Sequence, residues 1–367
     1  MKRYPRSTHC FYALLAAGAA LLASCGKPSP LPTVDGPEAT DLIEGVNGYI
    51  VISRHRGEIA AISLPALEEV TLRAPAPQDQ DFLQAYSVSG PDEEGRIAFI
   101  DDGGHSRSKD ERHFLKTMKL DTKQEEEIFT RPKGVLWTDL VGEHLALAHT
   151  GGRVAFASNL TGVQMPLARL QAGPLEVWDV TKKKGGEVGV TALDDGLSWF
   201  PDGKRLAYVE LISPQEAEGH FSKLGDFGSS FKEWKKVPAA HVFDTETGKK
   251  SFLHLGWHPQ VSADGKNVLV SDFDNRYRLI DVASGKSEAA DWPGKWGRAI
   301  ALLEGKRVLS WGRPTTGSQV RYTNAGSRGP QQLITLKLAE INSDKFQTVV
   351  PYIDARRRVS FGWVKKK

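Results

Sequence analysis

The stretch Trp199-Phe200-Pro201-Asp202-Gly203-Lys204-Arg205-Leu206-Ala207-Tyr208-Val209 carries the fold. Its Asp-Gly pair supplies the positive φ of a tight hairpin turn, with strand-forming residues on both sides. The phrase recurs as Glu94-Gly95-Arg96-Ile97-Ala98-Phe99-Ile100 and as Gly151-Gly152-Arg153-Val154-Ala155-Phe156-Ala157. It returns as Ala263-Asp264-Gly265-Lys266-Asn267-Val268-Leu269-Val270 and Glu304-Gly305-Lys306-Arg307-Val308-Leu309-Ser310. The turn glycines lie 57, 51, 62 and 40 residues apart. One propeller blade repeats every 40–45 residues or about that, so the longer intervals hold insertions. Three copies lack the turn aspartate, with Glu94, Gly151 and Glu304 in its place.

A second phrase follows the first. It reads Leu175-Glu176-Val177-Trp178-Asp179-Val180, then His241-Val242-Phe243-Asp244-Thr245-Glu246-Thr247-Gly248-Lys249, then Tyr277-Arg278-Leu279-Ile280-Asp281-Val282-Ala283-Ser284-Gly285-Lys286. Met118-Lys119-Leu120-Asp121-Thr122-Lys123 is a weaker copy. Its Asp-x-x-x-Gly-Lys form joins a third strand to a fourth. Two hairpins per repeat make a four-stranded antiparallel blade, so the fold class is an all-β propeller. No long segment of helical period competes with this. Residues 329–341 admit a short helix, but Leu333-Ile334-Thr335-Leu336-Lys337-Leu338 fits a third strand better.

Second strands number six: Tyr49–Ser53, Arg96–Ile100, Arg153–Ala157, Arg205–Leu211, Asn267–Asp272 and Arg307–Trp311. The first has no strand ahead of it, and the chain end Arg357-Arg358-Val359-Ser360-Phe361-Gly362-Trp363-Val364 has no partner. Pairing the two closes the ring and removes an exposed edge. Six blades are expected, with residues 131–147 leaving room for a seventh. The run at 198–209 resembles the WD-like repeat of TolB-type propellers, which reads roughly Trp-Ser-Pro-Asp-Gly-Lys-Arg-Ile-Ala-Phe. The resemblance is strong there, fair at 257–286, and weak at 95–123, 145–180 and 305–338. It implies a propeller over most of residues 45–364, and an interaction hub in a cell envelope, as TolB-type proteins are. Propellers host many unrelated activities, so it is nearly silent on chemistry.

In such a ring, hairpins joining strands one to two and three to four lie on one face. Connections from strand two to three lie on the other. The insertions Asp101–Arg112, Asn159–Pro174, Ser213–Ala239 and Arg313–Gln331 are all of the second kind. Long loops tend to be functional, so a binding surface is expected on that face. The fifth blade has only the turn Phe273-Asp274-Asn275-Arg276 there. Ser213–Ala239 mixes His220, Phe221, Phe227, Phe231 and Trp234 with Lys232, Lys235 and Lys236. That mix suits a partner surface, and it suits a small lid packed over the ring as well. Arg313, Arg321, Tyr322 and Arg328 occupy the last insertion without an acid. They suit an anion such as a glycan carboxylate or phosphate, with a solvated loop as the plainer reading.

Trp199 and Trp257 precede two turns at similar blade positions and read as core packing. His149 and His258 fall in first strands, which line a propeller's central channel. Two histidines fall short of the three or four ligands of a zinc site, so no metal or other cofactor is expected. Asp272-Phe273-Asp274-Asn275 lacks the glycine and distal glutamate of a calcium loop and reads as a turn. There is no Gly-x-Ser-x-Gly elbow, no phosphate-cradling loop and no Cys-x-x-Cys. Catalytic carboxylates brought together from distant blades remain open.

The N-terminus reads as an address. Lys2, Arg3 and Arg6 precede an apolar stretch from Cys10 to Ala23, about 14 residues where a spanning helix needs about 20. Leu22-Ala23-Ser24-Cys25 resembles the bacterial lipobox, which implies a signal peptide at 1–24 and an acylated (palmitate-bearing) Cys25 as first mature residue. Gly26 follows, and the resemblance then favours the outer membrane if the cell is Gram-negative. Residues 26–41 hold four prolines and two glycines, a tether reaching at most roughly 50 Å at about 3 Å per residue. Residues 42–367 form the propeller. With Cys10 removed and Cys25 acylated, no cysteine is left for a disulfide or a thiol nucleophile.

Of the chain's 367 residues 40% are hydrophobic, too many for a disordered protein. Its 48 Lys+Arg against 45 Asp+Glu become 45 against 45 once Lys2, Arg3 and Arg6 are set aside, which argues against nucleic acid as a partner. The expected function is a membrane-anchored, non-enzymatic, monomeric scaffold binding an envelope protein or glycan. The alternative is a propeller enzyme, of glycan hydrolase, lyase or lactonase type, using His149, His258 and unselected acids at the channel.

Overall fold

Each hairpin phrase forms the hairpin its residues encode. The computed structural model describes residues 39, 41–77, 85–101, 112–132, 144–164, 169–194, 196–221, 234–272, 276–293, 295–312, 333–354 and 359–362. All lie in one compact unit, Glu38–Lys367. Six antiparallel sheets follow one another as the blades of a β-propeller. From axis to rim, blade 1 is Val359–Gly362, Gly48–Ser53, Ile59–Leu64 and Glu69–Arg73. Blade 2 is Ala85–Ser89, Arg96–Asp101, Arg112–Lys119 and Glu125–Pro132. Blade 3 is Leu145–Leu147, Arg153–Ala157, Arg169–Asp179 and Lys184–Leu193. Blade 4 is Ser198–Trp199, Arg205–Ile212, Val237–Asp244 and Lys250–Leu255. Blade 5 is Trp257–Val261, Asn267–Ser271, Tyr277–Asp281 and Ser287–Ala290. Blade 6 is Lys295–Leu302, Arg307–Gly312, Leu333–Glu340 and Phe346–Asp354. All six expected second strands are present, with bounds within one residue of the sequence reading.

Second strands are apolar without alternation because neighbouring blades cover both their faces. Val51, Ile97, Phe99, Val154, Phe156, Leu206, Tyr208, Val268 and Val308 are buried on one or other side of a seam. Fourth strands face solvent, as in Glu69–Arg73 and Lys184–Leu193, most of whose residues are exposed or half-buried. The C-terminal strand closes the ring, with Tyr49 opposite Gly362 and Ile52 opposite Val359. Ser360 Oγ donates to Gly90 O of blade 2 at 3.2 Å.

The turn aspartates act as backbone acceptors. Asp202 accepts from the amides of Lys204 and Arg205 and from Arg205 Nε at 2.6 Å. Blade 2 has no Asp-Gly, yet the carboxylate is present. Asp92, three residues ahead of Gly95, accepts from the amides of Glu94 and Arg96 and from Arg96 Nε. Residues at the start of second strands then reach the next blade. Arg153 donates to Thr245 Oγ1 at 2.8 Å, and Thr150 Oγ1 donates to Pro201 O. Arg307 of blade 6 donates to the carbonyls of Leu42 and Glu44. The segment Ala39–Val46 is thus a strap against blade 6. Ala39 N donates to Phe346 O, Ile43 N donates to Gln347 Oε1, and Leu42, Ile43 and Val46 are buried with Leu303, Leu309 and Leu338.

Three sequence readings are corrected. Asn159–Pro174 is not only loop, because Thr161–Gln164 pairs with Arg169–Ala172 and extends blade 3 beyond the ring. Trp199 and Trp257 are not equivalent. Trp199 pairs with Leu206, and the matching residue of blade 5 is Val261, opposite Val268. Trp257 pairs with Ser271 at the far end, because a bulge lengthens that innermost strand. His149 lies past the end of Leu145–Leu147, in the one-to-two turn of blade 3 rather than in the strand.

Candidate functional site

The strand order settles which face carries the long connections. Segments 102–111, 158–168, 213–236 and 313–332 each join a second strand to a third. Blades 1 and 5 have only Arg54–Glu58 and residues 272–276 there.

The best-described of these is on blade 4. Ser213 caps the helix Pro214–Glu218, accepting from Glu216 N at 3.2 Å while Glu216 accepts from Ser213 N. This reciprocal cap satisfies end amides that would otherwise face solvent. The helix buries Ala217, and beyond it Phe221 and Trp234 are 6% and 8% exposed. They pack with Ile212, Val237, Ala239 and Leu255, and the blade-3 extension adds Val163 and Leu170. His220 stacks on Phe252 with ring centroids 3.8 Å apart. His220, Phe221 and Trp234 are therefore gathered in one raised structure over blades 3 and 4, with Lys235 and Lys236 exposed beside it. Phe227, Phe231, Lys232, Arg313, Arg321, Tyr322, Arg328 and Cys25 lie outside the described residues.

Beneath this structure is a polar cluster. Glu210 accepts from Lys250 Nζ at 2.6 Å and from Tyr208 OH at 3.2 Å, with His241 Nε2 at 3.5 Å. His241 Nδ1 lies 3.1 Å from Ala239 O. Burial lowers the His241 pKa, and the opposing pull of Glu210 does not restore it. Burial and the Glu210 carboxylate raise Tyr208. A second network stands at the root of segment 102–111. Buried Asp101 binds Arg73 and Lys116 at 2.9 and 3.0 Å, and Lys116 also reaches Glu125. Burial opposes the Lys116 charge, but the two carboxylates outweigh it and raise its pKa.

The channel histidines are separated. His258 sits near the insertion-side start of the innermost strand of blade 5, and His149 sits in a turn on the opposite face. They do not form one site. His258 adopts φ 52° within the bulge between Trp257 and Gln260. The residue is half-buried, and burial pushes its pKa down to about 4. Trp257 is half-buried, its indole N–H donating to Asp272 O at 3.2 Å. A neighbouring pair escaped the sequence reading: His144 Nδ1 lies 3.8 Å from Asp194 Oδ2, and His144 N donates to Asp194 Oδ1. No local motif announces residues fifty apart. Asp272 is taken by the amide and Nε of Arg276, consistent with a turn. Among the described residues no three His, Cys, Asp or Glu are grouped to hold a metal. None of their helices is long and apolar enough to cross a membrane.

No family model matches the chain, and no curated protein matches it in sequence. Solved structures match in fold. A chain of a nidogen/laminin complex is similar at TM-score 0.51 and 10% identity, covering 86% of this chain and 97% of that one. TolB from Acinetobacter baumannii is similar at TM-score 0.47 and 13% identity, covering 87% and 67%. An oligogalacturonate lyase in complex with manganese is similar at 0.46 and 14%, covering 82% and 79%.

Proposed function

We propose that this chain is a membrane-anchored, non-enzymatic propeller lipoprotein, acylated at Cys25, that binds an envelope protein or glycan through its insertion-bearing face. One observation carries the reading: the long connections all leave the ring on a single face, while the opposite face is built of short hairpins. Phe221 and Trp234 are buried within the blade-4 insertion and hold it rigid, so what it offers a partner is the half-buried His220 with the exposed Lys235 and Lys236. The Arg313, Arg321, Tyr322 and Arg328 segment leaves the same face and adds positive charge. The localisation is the cell envelope, at the outer membrane in a Gram-negative cell.

Affinity capture from a detergent-solubilised envelope tests the scaffold. The full chain is compared with one in which residues 214–236 are replaced by a short Gly-Ser turn. A specific partner lost with the insertion supports the reading, and identical partner sets refute that segment as the docking site. A propeller enzyme acting on a glycan or lactone is the second reading, favoured by the neutral His258 in the innermost strand. Turnover abolished by His258→Asn would establish it.

A further inference from the structure

We propose that one corner of the hairpin-bearing face, made of Pro65, Ala66, Leu67 and Val70, rests on the lipid surface to which the chain is tethered and so holds the insertion-bearing face clear of the membrane. This deepens the scaffold reading and rests on its acylated Cys25.

Three observations meet at this corner. First, Leu67 and Val70, 42% and 45% exposed, are the exposed large hydrophobic side chains among the described residues. They lie three positions apart, and Pro65 and Ala66 beside them are exposed too. Apolar residues scattered singly over a surface are ordinary, but these are gathered in one place. Second, Leu67 takes φ 58°, in the left-handed region that a bulky side chain seldom adopts. Its amide donates to Ser63 O, and the same bond in the third-to-fourth turns of blades 2, 4 and 5 belongs to Lys123, Gly248 and Gly285. Leucine is favoured there by neither the backbone nor water, which points to a contact outside the propeller. Third, the chain enters the propeller at this end. Gly48 pairs with Leu64, the residue before Pro65. The strap ahead of Gly48 crosses the hairpin end of blade 6, where Ala39 N donates to Phe346 O and Arg307 donates to Leu42 O. Leu64 is buried in one cluster with Leu42, Ile43 and Val46.

The occupant follows from where the tether joins. Residues 26–38 reach at most roughly 40 Å at about 3 Å per residue, so an acyl chain on Cys25 keeps this face near the bilayer. Tethering turns a weak contact into an intramolecular one at high effective concentration, so a small aliphatic group suffices. Residues 65–70 hold two glutamates and no cation. The contact is therefore apolar and needs no anionic lipid.

The test couples a chain beginning at Cys25, which keeps every described residue and has Cys25 as its one thiol, to a maleimide lipid in phosphatidylcholine vesicles. Hydroxyl-radical labelling read by mass spectrometry maps its exposure. Labelling at Pro65, Leu67 and Val70 is expected to fall at least threefold against the uncoupled chain, with labelling across Pro214–Phe221 unchanged. Leu67→Asn suits the left-handed backbone. Combined with Val70→Thr, it is expected to restore Pro65 labelling with an undiminished thermal midpoint. If the double variant fails to fold, Leu67→Asn alone takes its place with the same restoration expected. Unchanged labelling of the corner on vesicles, protection of Pro214–Phe221 instead, or protection that persists in the folded variant would each overturn the proposal. Protection seen only at coupling densities where chains cross-link to one another would assign the corner to a second copy and overturn it too. The anchor is scored apart, by the mass of the N-terminus of the chain recovered from cells. An unmodified Cys25 there refutes acylation, and with it the tether this inference needs, whereas the vesicle result bears on the corner alone.

Discussion

At the scale of single residues, glycines at similar turns face different surroundings. Gly203 and Gly95 both hold positive φ, near 65° and 74°. A Cβ on Gly95 meets nothing within 4 Å, whereas one on Gly203 would lie 2.4 Å from Thr150 O across the seam to blade 3. Gly95→Ala is therefore expected to cost only the backbone term, about 1–2 kcal/mol. Gly203→Ala should cost clearly more, because Thr150 must move and its bond to Pro201 O breaks. Urea denaturation of both variants checks this, and equal losses would contradict the seam argument. The turn carboxylates make an opposed pair in pH. For Asp202, burial is outweighed by the amides of Arg205 and Lys204 and the Arg205 guanidinium, so its folded pKa is lowered. Its contribution is present above the unfolded value of about 3.9 and is lost as pH falls through the folded pKa. For Asp92 burial prevails over the same kinds of partner and the folded pKa is raised. Its contribution is therefore greatest in acid and declines as pH rises from about 3.9 through the folded pKa. Wild type minus Asp92→Asn stability should fall with rising pH just above pH 4, and wild type minus Asp202→Asn should rise with pH in the acid range. Denaturation midpoints from pH 3 to 7 read both slopes, and parallel curves would refute the contrast.

At the scale of elements, what the sequence reveals depends on whether an element is specified locally. Second strands announce themselves because both faces are buried and a glycine turn precedes them. The Leu145–Leu147 strand is three residues long with no turn signal ahead of it, and Thr161–Gln164 carries a glycine and two polar residues. Only pairing with Arg169–Ala172 makes the latter a strand. Asp92 supplies the blade-2 carboxylate from a different offset, so a search for Asp-Gly misses it. Of the candidate site, the clustering of His220, Phe221 and Trp234 was legible as a segment of mixed aromatics. The His144–Asp194 pair was not, because it depends on where two connections cross. The closing strand was legible as an unpaired end, and its packing gives a sharp expectation. A Cβ on Gly362 would lie 2.1 Å from Pro91 O, backbone that cannot swing aside. Gly362→Val should displace this strand from Gly48–Ser53 and cost more than about 4 kcal/mol, the range of severe core damage. The freed edge should also promote self-association. Denaturation and sedimentation velocity check this, and a monomer of wild-type stability would refute it.

At the scale of the whole molecule, closure is the critical joint, because a ring transmits one open seam to every blade. The C-terminal strand supplies part of that joint through four paired residues. The strap supplies the rest from the other chain end. Leu42, Ile43 and Val46 are buried against blade 6, and each such side chain contributes about 1.5–3 kcal/mol when fully buried. Arg307 would also lose its two carbonyl acceptors without the strap. The compact propeller unit therefore begins near residue 38, ahead of the strap. A chain beginning at Glu38 should match the full chain in denaturation midpoint. A chain beginning at Asn47 keeps every blade strand, yet it should lose several kcal/mol or unfold in more than one step. Arg307→Leu should reproduce part of that loss, about 1–3 kcal/mol from the stranded carbonyls. Urea denaturation followed by tryptophan fluorescence compares the three. If the chain beginning at Asn47 is as stable as the one beginning at Glu38, the strap is dispensable and the C-terminal strand alone closes the ring.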